Sequence, residues 1–271
     1  MTDDNRVSVA EARGLLRDLR GRAGDTRAPE SLLPGVLARA GLGDAYWTLD
    51  TPLGPVYVAY NEVGVSAVMR AEEDGDAAFE ERFRARFKRP IHPVAQPPVE
   101  LARAVAARLS GDTGARVRFD LRSVSEFERA VLLKALEIPR GEVRPYGWIA
   151  REIARPKAVR AVGTALAHNP IPLLIPCHRV VQSDGRLGQY SLGGPTAKRT
   201  ALAAEGLDLA ALERLAAAGV RYIGSDSTRV YCLPTCRHAR RITDQRRVPF
   251  RSAAAATAAG YRACMVCRPA A

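Results

Sequence analysis

The five cysteines of the chain fall into two groups that differ in spacing. Four lie near the C-terminus as Cys232-x3-Cys236 and Cys264-x2-Cys267, with 27 residues between the two pairs. Two close pairs separated by a short stretch of chain are typical of a tetrahedral zinc site, in which each pair supplies two thiolates. Two disulfides or four free thiols are the alternatives. The spacing therefore predicts a structural Zn2+ site, with His238 outside the ligand set and the metal supplying much of the local folding energy.

The fifth cysteine, Cys177, stands alone in the stretch Ile175-Pro176-Cys177-His178-Arg179. A lone cysteine is more often an inert buried residue than a nucleophile. His178 beside it could help to form the reactive thiolate, and Glu205 could orient that histidine through the fold. A cysteine hydrolase and a group transferase would use the same parts, and the spacing does not distinguish between them.

Charge is the second chemical signal. The formal net charge is +12, and only four of the 41 basic residues are lysines. Residues 221–271 contribute +8, because they hold ten arginines and two aspartates. Arginine suits bidentate contacts to phosphate, although genome composition also raises arginine content. The balance indicates a polyanionic partner, most often nucleic acid.

The composition is that of a folded protein, with 47% hydrophobic and 26% charged residues. No segment has the roughly 20 unbroken apolar residues of a membrane span. The first 30 residues are charged throughout and lack the apolar core of a signal peptide. A cytoplasmic location, where thiols stay reduced, is therefore expected.

The first part of the chain predicts a small antiparallel sheet. Residues 1–43 contain two short helical patterns, near 8–20 and 30–40, to which we assign no role. Alternating apolar residues from position 45, with turns at 51–54 and 61–64, predict three short strands. An amphipathic helix is predicted at 79–88, and the proline-rich stretch 89–98 is predicted to be a linker.

The second part predicts mostly helices. Helices are expected at 99–110, ended by Gly111, and at 125–141. Residues 148–170 predict a helix, a short turn and a second helix that Pro156 could open. Residues 171–182 predict an extended apolar run, 184–194 a glycine-rich loop and 197–207 a helix. A further helix is expected at 208–218, and a compact one at 252–260 with Ser252 as its N-cap and Gly260 at its end.

Four stretches of the chain together resemble the O6-alkylguanine-DNA alkyltransferases. They are GEVRPYGWIA (141–150), PKAVRAVG (156–163), NPIPLLIPCHRVV (169–181) and GQYSLGG (188–194). The resemblance covers roughly residues 45–206 and is strongest at 125–206. It implies repair of alkylated guanine in DNA by a single displacement that leaves a stable thioether, so that each molecule acts once.

The resemblance also implies roles for the residues of the active site. Cys177 corresponds to the alkyl acceptor, and His178 to a general base that acts through a water molecule with Glu205 behind it. Asn169 corresponds to the residue that ties the recognition helix to the active-site strand. Tyr146 is the candidate proton donor to the leaving guanine.

Further residues are implied to contact DNA. A guanine inside a duplex must be extruded before a sulfur can reach its alkyl group. Arg160 corresponds to the side chain that fills the space of the extruded base. Small residues on the same helix would let its backbone approach the minor groove, although close helix packing would also explain them: Ala158, Ala161, Gly163 and Ala165. The resemblance gives the remaining DNA- or base-binding candidates as Tyr146, Arg179, Tyr190 and Ser191.

The C-terminal cysteine region has a resemblance of its own. Residues 230–236 (VYCLPTC) and 260–269 (GYRACMVCRP) resemble the zinc-binding domain of Ada-type proteins. There the first zinc cysteine accepts a methyl group from DNA phosphotriesters, which makes Cys232 a candidate second acceptor. A relative of this domain that binds without repair is the alternative. We expect a DNA-holding or second repair role rather than a transcriptional switch.

These observations predict an α+β fold with a helical extension at 1–43. A small antiparallel, RNase H-like subdomain with its linker is expected at 44–97, a helix-turn-helix alkyltransferase domain at 98–208 and a four-cysteine zinc domain at 219–271. The expected partner is double-stranded DNA, and the expected state is a monomer. A non-repairing lesion-binding protein is the alternative function. Zinc removal is expected to weaken DNA binding and to leave transfer to Cys177 largely intact.

Overall fold

The computed structural model describes residue 36 and residues 43–71, 75–112 and 114–269. Apart from residue 36, the helices predicted near 8–20 and 30–40 lie outside these ranges. Within them the fold is α+β, as predicted, with eight α-helices and ten short strands in three sheets. None of the described helices is both long enough and apolar enough to cross a membrane.

The N-terminal sheet contains the three predicted antiparallel strands, β1 (Asp44–Thr51), β2 (Gly54–Tyr60) and β3 (Val65–Arg70). Helix α1 (Gly75–Phe87) covers one face, because its phenylalanines recur at helical spacing and are all buried. The ring of Phe79 stacks on Tyr57 with 4.3 Å between centroids. One face of the sheet thus packs on α1, and the alternate residues on the other face belong to a second buried cluster.

The proline-rich stretch 89–98 is not only a linker, and that prediction was wrong in part. Residues Ile91–Pro93 form β4, which pairs with β1 in parallel, so the sheet order is β3-β2-β1-β4. The backbone of Asp44 donates to Pro90 O over 2.9 Å. Proline is tolerated because β4 is an edge strand and its outer side needs no N–H donor.

The second part of the chain is mostly helical. Helix α2 (Val99–Ser110) ends at Gly111, whose φ of +100° is the left-handed region that glycine favours. Helix α3 (Glu126–Ala135) begins with a capping box between Ser125 and Glu128, and it ends six residues before the predicted position 141. The end follows from a turn at Leu136–Ile138 that leads into Pro139, a residue that cannot extend a helix.

Two helices form the predicted helix-turn-helix. They are α4 (Tyr146–Glu152) and α5 (Val159–Ala167). Pro156 does not open α5, which begins three residues later; Ala154, with a φ of +56°, lies in the turn between the helices. Helix α6 (Gly194–Ala204) follows the glycine-rich loop.

One apolar core joins the N-terminal sheet to these helices. Val56 and Val68 from the sheet belong to the same buried cluster as Leu132 and Trp148. The segments 44–97 and 98–208 therefore pack around a shared core. A short parallel pair is formed by β5 (Arg144–Pro145), which directly precedes α4, and β6 (Val180–Val181).

We call residues 219–269 the zinc module. Helix α7 (Leu209–Ala217), capped by Asp208, leads into it. The strands of the zinc module are β7 (Tyr222–Ser225), β8 (Val230–Cys232), β9 (Arg247–Phe250) and β10 (Arg262–Ala263). They form a sheet with the order β10-β8-β7-β9. Helix α8 (Ala253–Ala258) begins after Ser252, whose side chain accepts from Ala255 N as the sequence predicts.

Candidate active site and zinc centre

Cys177 begins a single turn of 3-10 helix, Cys177–Arg179, where the sequence predicts an extended run. The prediction was wrong because local bonds fold this segment back, including Ile175 N to Ile171 O at 2.9 Å and Cys177 N to Ile175 O at 2.8 Å. Leu173 has a φ of +69°, which also breaks an extended path. The turn holds the Cys177 side chain inward, where only 5% of the residue is exposed.

Asn169 holds this turn from the end of α5. Its Nδ2 donates to Ile175 O over 3.0 Å and to Cys177 Sγ over 3.1 Å, while its Oδ1 accepts from Ile171 N over 2.9 Å. A buried amide with three partners fixes both the loop and the sulfur. The structure thus brings Asn169 and Cys177 together.

Burial and the neighbouring polar groups shift the pKa of Cys177 in opposite directions. Burial raises the pKa of the thiol, whereas the hydrogen bond from Asn169, the charge of Lys198 and a hydrogen bond from Ser191 lower it. Burial favours the neutral thiol. Formation of a thiolate therefore calls for a base within the site.

His178 and Glu205 form a hydrogen-bonded pair beside the acceptor. The Nε2 of His178 lies 2.8 Å from Glu205 Oε1, and both side chains are nearly buried. The Nδ1 of His178 is also buried and has no hydrogen-bond partner among the described residues. A carboxylate at Nε2 assigns the ring proton to that nitrogen, which leaves the lone pair of Nδ1 available to a base-catalysed step.

The pKa values of this pair suit a base. Burial lowers the pKa of His178, against the opposing effect of Glu205, so the ring is neutral at physiological pH. Burial alone would raise the pKa of Glu205, but hydrogen bonds from His178 and Arg179 lower it to about 2. Glu205 is therefore a carboxylate that holds a neutral imidazole.

Arg179 is engaged inside the protein. Its Nη2 lies 2.7 Å from Glu205 Oε1, and its Nη1 donates to Ile138 O over 2.6 Å. Its side chain is 14% exposed. This placement gives Arg179 a part in holding Glu205 and does not support the predicted contact with DNA.

Two tyrosines flank the sulfur. Tyr146 is the first residue of α4, and both burial and the nearby Cys177 raise the pKa of its hydroxyl. A Cβ at Gly188 would lie 3.4 Å from Tyr146 Oη, which places the hydroxyl against the glycine-rich loop. The ring of Tyr190 lies edge-on to His178 with 5.9 Å between centroids. Both predicted pocket tyrosines therefore border the acceptor.

Lys198 belongs to this site and was missed by the sequence analysis. Its Nζ donates to Val180 O over 2.5 Å and to Gln189 O over 3.3 Å, and it lies 5.8 Å from the centroid of the Tyr146 ring. Burial lowers its pKa to about 8, against the raising effect of Cys177. The sequence does contain a signal that Lys198 is buried. This lysine precedes Ala201 and Leu202, which are buried in α6, by three and four residues and therefore lies on the same face of the helix.

The second helix of the pair presents small and basic residues outward. Arg160 and Ala161 are exposed, whereas Val162 and Ala165 are buried. Ala158 is partly exposed at the start of the helix, and a Cβ at Gly163 would lie 3.9 Å from the Tyr146 ring. Of the predicted DNA-facing residues of this helix, Arg160 and Ala161 are thus exposed to solvent, whereas Ala158 and Gly163 are only partly exposed. Ser191, in the glycine-rich loop, is also exposed.

The four C-terminal cysteines meet as predicted. Their Sγ atoms all lie within 4.8 Å of one another, and all four residues are buried. Four thiolates around tetrahedral zinc, with Zn–S bonds of about 2.3 Å, have sulfur atoms about 3.8 Å apart. The cluster therefore fits Zn2+. His238 is exposed and is not among the clustered residues.

A groove of about 520 Å3 opens beside two of the four ligands, Cys232 and Cys264. Three arginines and His238 line it: Arg241, Arg246 and Arg262. Cys236 and Cys267 have no exposed surface and do not line the groove. Two of the four ligand residues thus line a cationic groove, which suits an anionic ligand.

A buried cysteine with a His–Glu pair, beside a helix-turn-helix and linked to a zinc site, defines a protein class that performs nucleophilic cysteine chemistry on DNA. The family model for the 6-O-methylguanine DNA methyltransferase DNA-binding domain matches residues 126–207, and that for the metal-binding domain of Ada matches residues 210–270. The second match begins before the predicted boundary at 219 and includes α7.

Relatives agree with the first of these matches. A methylated-DNA–protein-cysteine methyltransferase of Methanosarcina barkeri is 36% identical over 157 residues, which cover 55% of this chain and 89% of that protein. The chain belongs to the methylated-DNA–protein-cysteine methyltransferase family. The bifunctional transcriptional activator and DNA repair enzyme Ada of Escherichia coli is 34% identical over 150 residues, or 42% of its length. The matching segment of the rat methyltransferase is 51% identical but spans only 39% of that protein.

A solved structure shares the fold. The Mycobacterium tuberculosis O6-methylguanine methyltransferase aligns with a TM-score of 0.50 and 32% identity, over 60% of this chain and 92% of that one. Membership of a methyltransferase family does not favour the hydrolase or the non-repairing lesion-binding protein. DNA is the partner that the matched DNA-binding domain indicates.

Proposed function

We propose that the protein repairs O6-alkylguanine in DNA by moving the alkyl group onto Sγ of Cys177. The observation that carries this proposal is the set of contacts around one sulfur. Asn169 Nδ2 lies 3.1 Å from it, and the neighbouring His178 is held at Nε2 by Glu205 over 2.8 Å. An inert buried cysteine needs neither a fixed donor nor an oriented neutral base.

The reaction is a single displacement. The thiol proton of Cys177 passes through a water molecule to Nδ1 of His178, and the thiolate attacks the alkyl carbon. A C–S bond forms as the bond between that carbon and guanine O6 breaks, and the electron pair returns to the guanine. Tyr146 gives its hydroxyl proton to the leaving ring and becomes a phenolate. The proton that His178 has taken up gives this residue a positive charge, which balances the negative charge of the phenolate.

The product determines the stoichiometry. A thioether has no good leaving group, so water does not remove the alkyl group from the sulfur. His178, the base, is neutral before the transfer and takes up the thiol proton during it. Nothing in the described site supplies a second nucleophile for the alkyl carbon. Each molecule is therefore consumed by one transfer.

The approach of DNA requires base flipping. Arg160 enters the stack in place of the extruded guanine, while Ala158, Ala161 and Gly163 let α5 lie close to the minor groove. Tyr190 and Ser191 border the flipped base. The exposure of Arg160 and Ala161, and the nearness of Gly163 to Tyr146, support this arrangement.

The zinc module adds a second contact with DNA. Its groove beside Cys232 is lined by arginines that would bind phosphate groups. Zinc, when bound, keeps the four sulfurs as thiolates. We assign to Cys232 the role of a second acceptor, for a methyl group on a backbone phosphotriester. The protein acts as a monomer in the cytoplasm. Each of its sites is present once in the chain and is used once, which suits a monomer.

Mass measurement of the intact protein tests the proposal. Wild-type protein mixed with duplex DNA that contains one O6-methylguanine gains the mass of one CH2 unit, located on the Cys177 peptide. Cys177→Ala gains nothing there and keeps its affinity for the same duplex. Methylation of the Cys177→Ala protein at the same rate as the wild type would overturn the proposal.

A further inference from the structure

The zinc module is joined to the alkyltransferase region by buried hydrogen bonds next to its cysteines. Thr235, which precedes Cys236, accepts from Val143 N over 2.9 Å and donates to Val143 O over 3.3 Å. Trp148 Nε1 donates to the backbone oxygen of Cys267 over 2.9 Å. Each cysteine pair is therefore attached to a different part of the segment 143–148.

A second set of contacts connects the same two points. Arg237 N, one residue after Cys236, donates to Glu142 Oε1 over 2.9 Å. The other oxygen of Glu142 pairs with Arg144 at 2.5 Å, and the Arg144 guanidinium lies 5.8 Å from the centroid of the Trp148 ring. The contacts thus run from one cysteine pair through three side chains to the other pair, and a metal at the four sulfurs would close the ring.

The side chains in this ring are removed from solvent. Glu142 and Arg144 are 1% and 2% exposed, and Trp148 is 3% exposed. A buried carboxylate or indole N–H that loses its partner is destabilised by the unmet hydrogen bond. At the exposed rim, Arg268 pairs with Glu152 of α4 at 2.7 Å.

The ring also reaches the active site. Arg144 and Pro145 form β5, which pairs with Val180 and Val181 directly after the Cys177 turn. Tyr146 follows β5 and begins the helix that carries Trp148. Trp148, Val143 and Glu142, which contact the zinc module, are therefore two, three and four positions from the proposed proton donor.

We propose that the zinc module sets the position of Tyr146 and of the strand beside Cys177, with Trp148 and Glu142 as positioning residues. This inference rests on the proposed function of Cys177 and replaces the expectation that zinc removal leaves transfer intact. The metal provides much of the folding energy of so small a module. When the module loosens, Glu142 and Trp148 lose partners that only the folded zinc site holds in place.

Hydrogen exchange in the full-length protein tests the coupling without any reaction. Zinc removal with a chelator should speed exchange at residues 141–152 and 177–182, as well as in the module itself. Exchange in β1 to β3 should stay unchanged, since among the described residues no hydrogen bond or ion pair joins these strands to the module. Unchanged exchange at 141–152 in protein that has lost its zinc would overturn the proposal.

Transfer to O6-methyl-2'-deoxyguanosine then separates the chemistry from DNA binding, because the nucleoside needs no contact with the module. Zinc removal should lower the maximal rate constant of Cys177 methylation at least about fivefold. Trp148→Phe should lower it similarly with zinc bound and make it insensitive to chelation. Trp47→Phe, the same change at another buried tryptophan, should keep the full response to zinc.

The outcomes distinguish this inference from the proposed function. If the zinc-loaded wild type never methylates Cys177 with either substrate, the proposed function fails, whatever the exchange data show. If it methylates Cys177 at a rate that neither chelation nor Trp148→Phe changes, the coupling is wrong and the proposed function stands. Equal effects of Trp47→Phe and Trp148→Phe would also contradict the coupling.

Discussion

The side-chain amide of Asn169 donates to Sγ of Cys177 across 3.1 Å, and the same amide nitrogen donates to Ile175 O. The end of the exposed helix α5 is thereby fastened to the acceptor. If α5 moves when DNA binds, the side chain of Asn169 would transmit that movement to the sulfur of Cys177.

Asn169→Ala should damage both stability and transfer. The change leaves the buried Ile171 N without its partner, whereas Ile175 O still accepts from Cys177 N, so the free energy of unfolding falls by about 1–3 kcal/mol. It also removes a donor that lowers the pKa of Cys177. Urea unfolding and single-turnover transfer check the two effects. Asn61→Ala, which removes an amide bonded to Asp44 and Asp120, should cost stability but leave the transfer rate of the folded fraction unchanged.

Glu205→Gln should slow transfer about 100-fold, the lower end of what a general base contributes. The neutral amide holds His178 less firmly and stabilises its protonated form less. Glu213→Gln is the matched control, because Glu213 is an exposed carboxylate that pairs with Arg199. A Glu205→Gln rate within twofold of the control would exclude Glu205 from the mechanism.

The same variant should change the acid stability. The pKa of Glu205 is about 2 in the folded protein and about 4.3 in an unfolded chain. The folded state therefore favours the carboxylate, whose contribution of about 2–3 kcal/mol is complete above pH ~4.3 and is lost as the pH falls towards 2. Glu205→Gln should lack that part of the pH dependence in urea unfolding between pH 5 and 3. A wild-type stability that stays constant over this window would contradict the assignment.

The sequence predicts the acceptor and the zinc ligands because both depend on local order. Cys177 lies beside His178 in the chain, and the four zinc cysteines come in two close pairs. The three strands and the capped helices follow equally from alternation and from residues such as Ser125 and Ser252, whose side chains act on backbone a few positions away.

Contacts distant in sequence account for what sequence patterns missed. Lys198 looks like an exposed helix residue until α6 packs beside β6 and Gln189. In the sequence Ile91 looks like part of a linker, but in the fold it belongs to β4, the edge strand that pairs with β1. Arg179 looks free to bind DNA until Glu205 and Ile138, from two other segments, occupy its guanidinium. The bond from Trp148 to Cys267 spans 119 positions, and no local pattern reports it.

Arg160→Ala should impair repair of duplex DNA and spare the chemistry. If Arg160 replaces the flipped base in the stack, its loss makes extrusion costlier by about 1–2 kcal/mol, or roughly 5- to 30-fold in rate. Transfer to O6-methyl-2'-deoxyguanosine should be unchanged, since no stack is opened. Arg155→Ala, at another exposed arginine, in the turn that precedes α5, controls for the loss of charge. Equal slowing by both variants would reduce Arg160 to a general phosphate contact.

Cys232 should accept a methyl group from DNA phosphotriesters even when Cys177 is absent. It and Cys264 are the two zinc ligands that line the cationic groove, and Cys232 is the one that the Ada resemblance assigns. In Cys177→Ala protein, peptide mass spectrometry after exposure to methyl-phosphotriester DNA should find one added CH2 unit on the Cys232 peptide. Arg246→Ala should slow this transfer because Arg246 lines the groove, whereas Arg251→Ala, at an exposed arginine outside it, should not. A methyl group on Cys264 instead, or none on a zinc-loaded module that binds the same DNA, would leave Cys232 a structural ligand only.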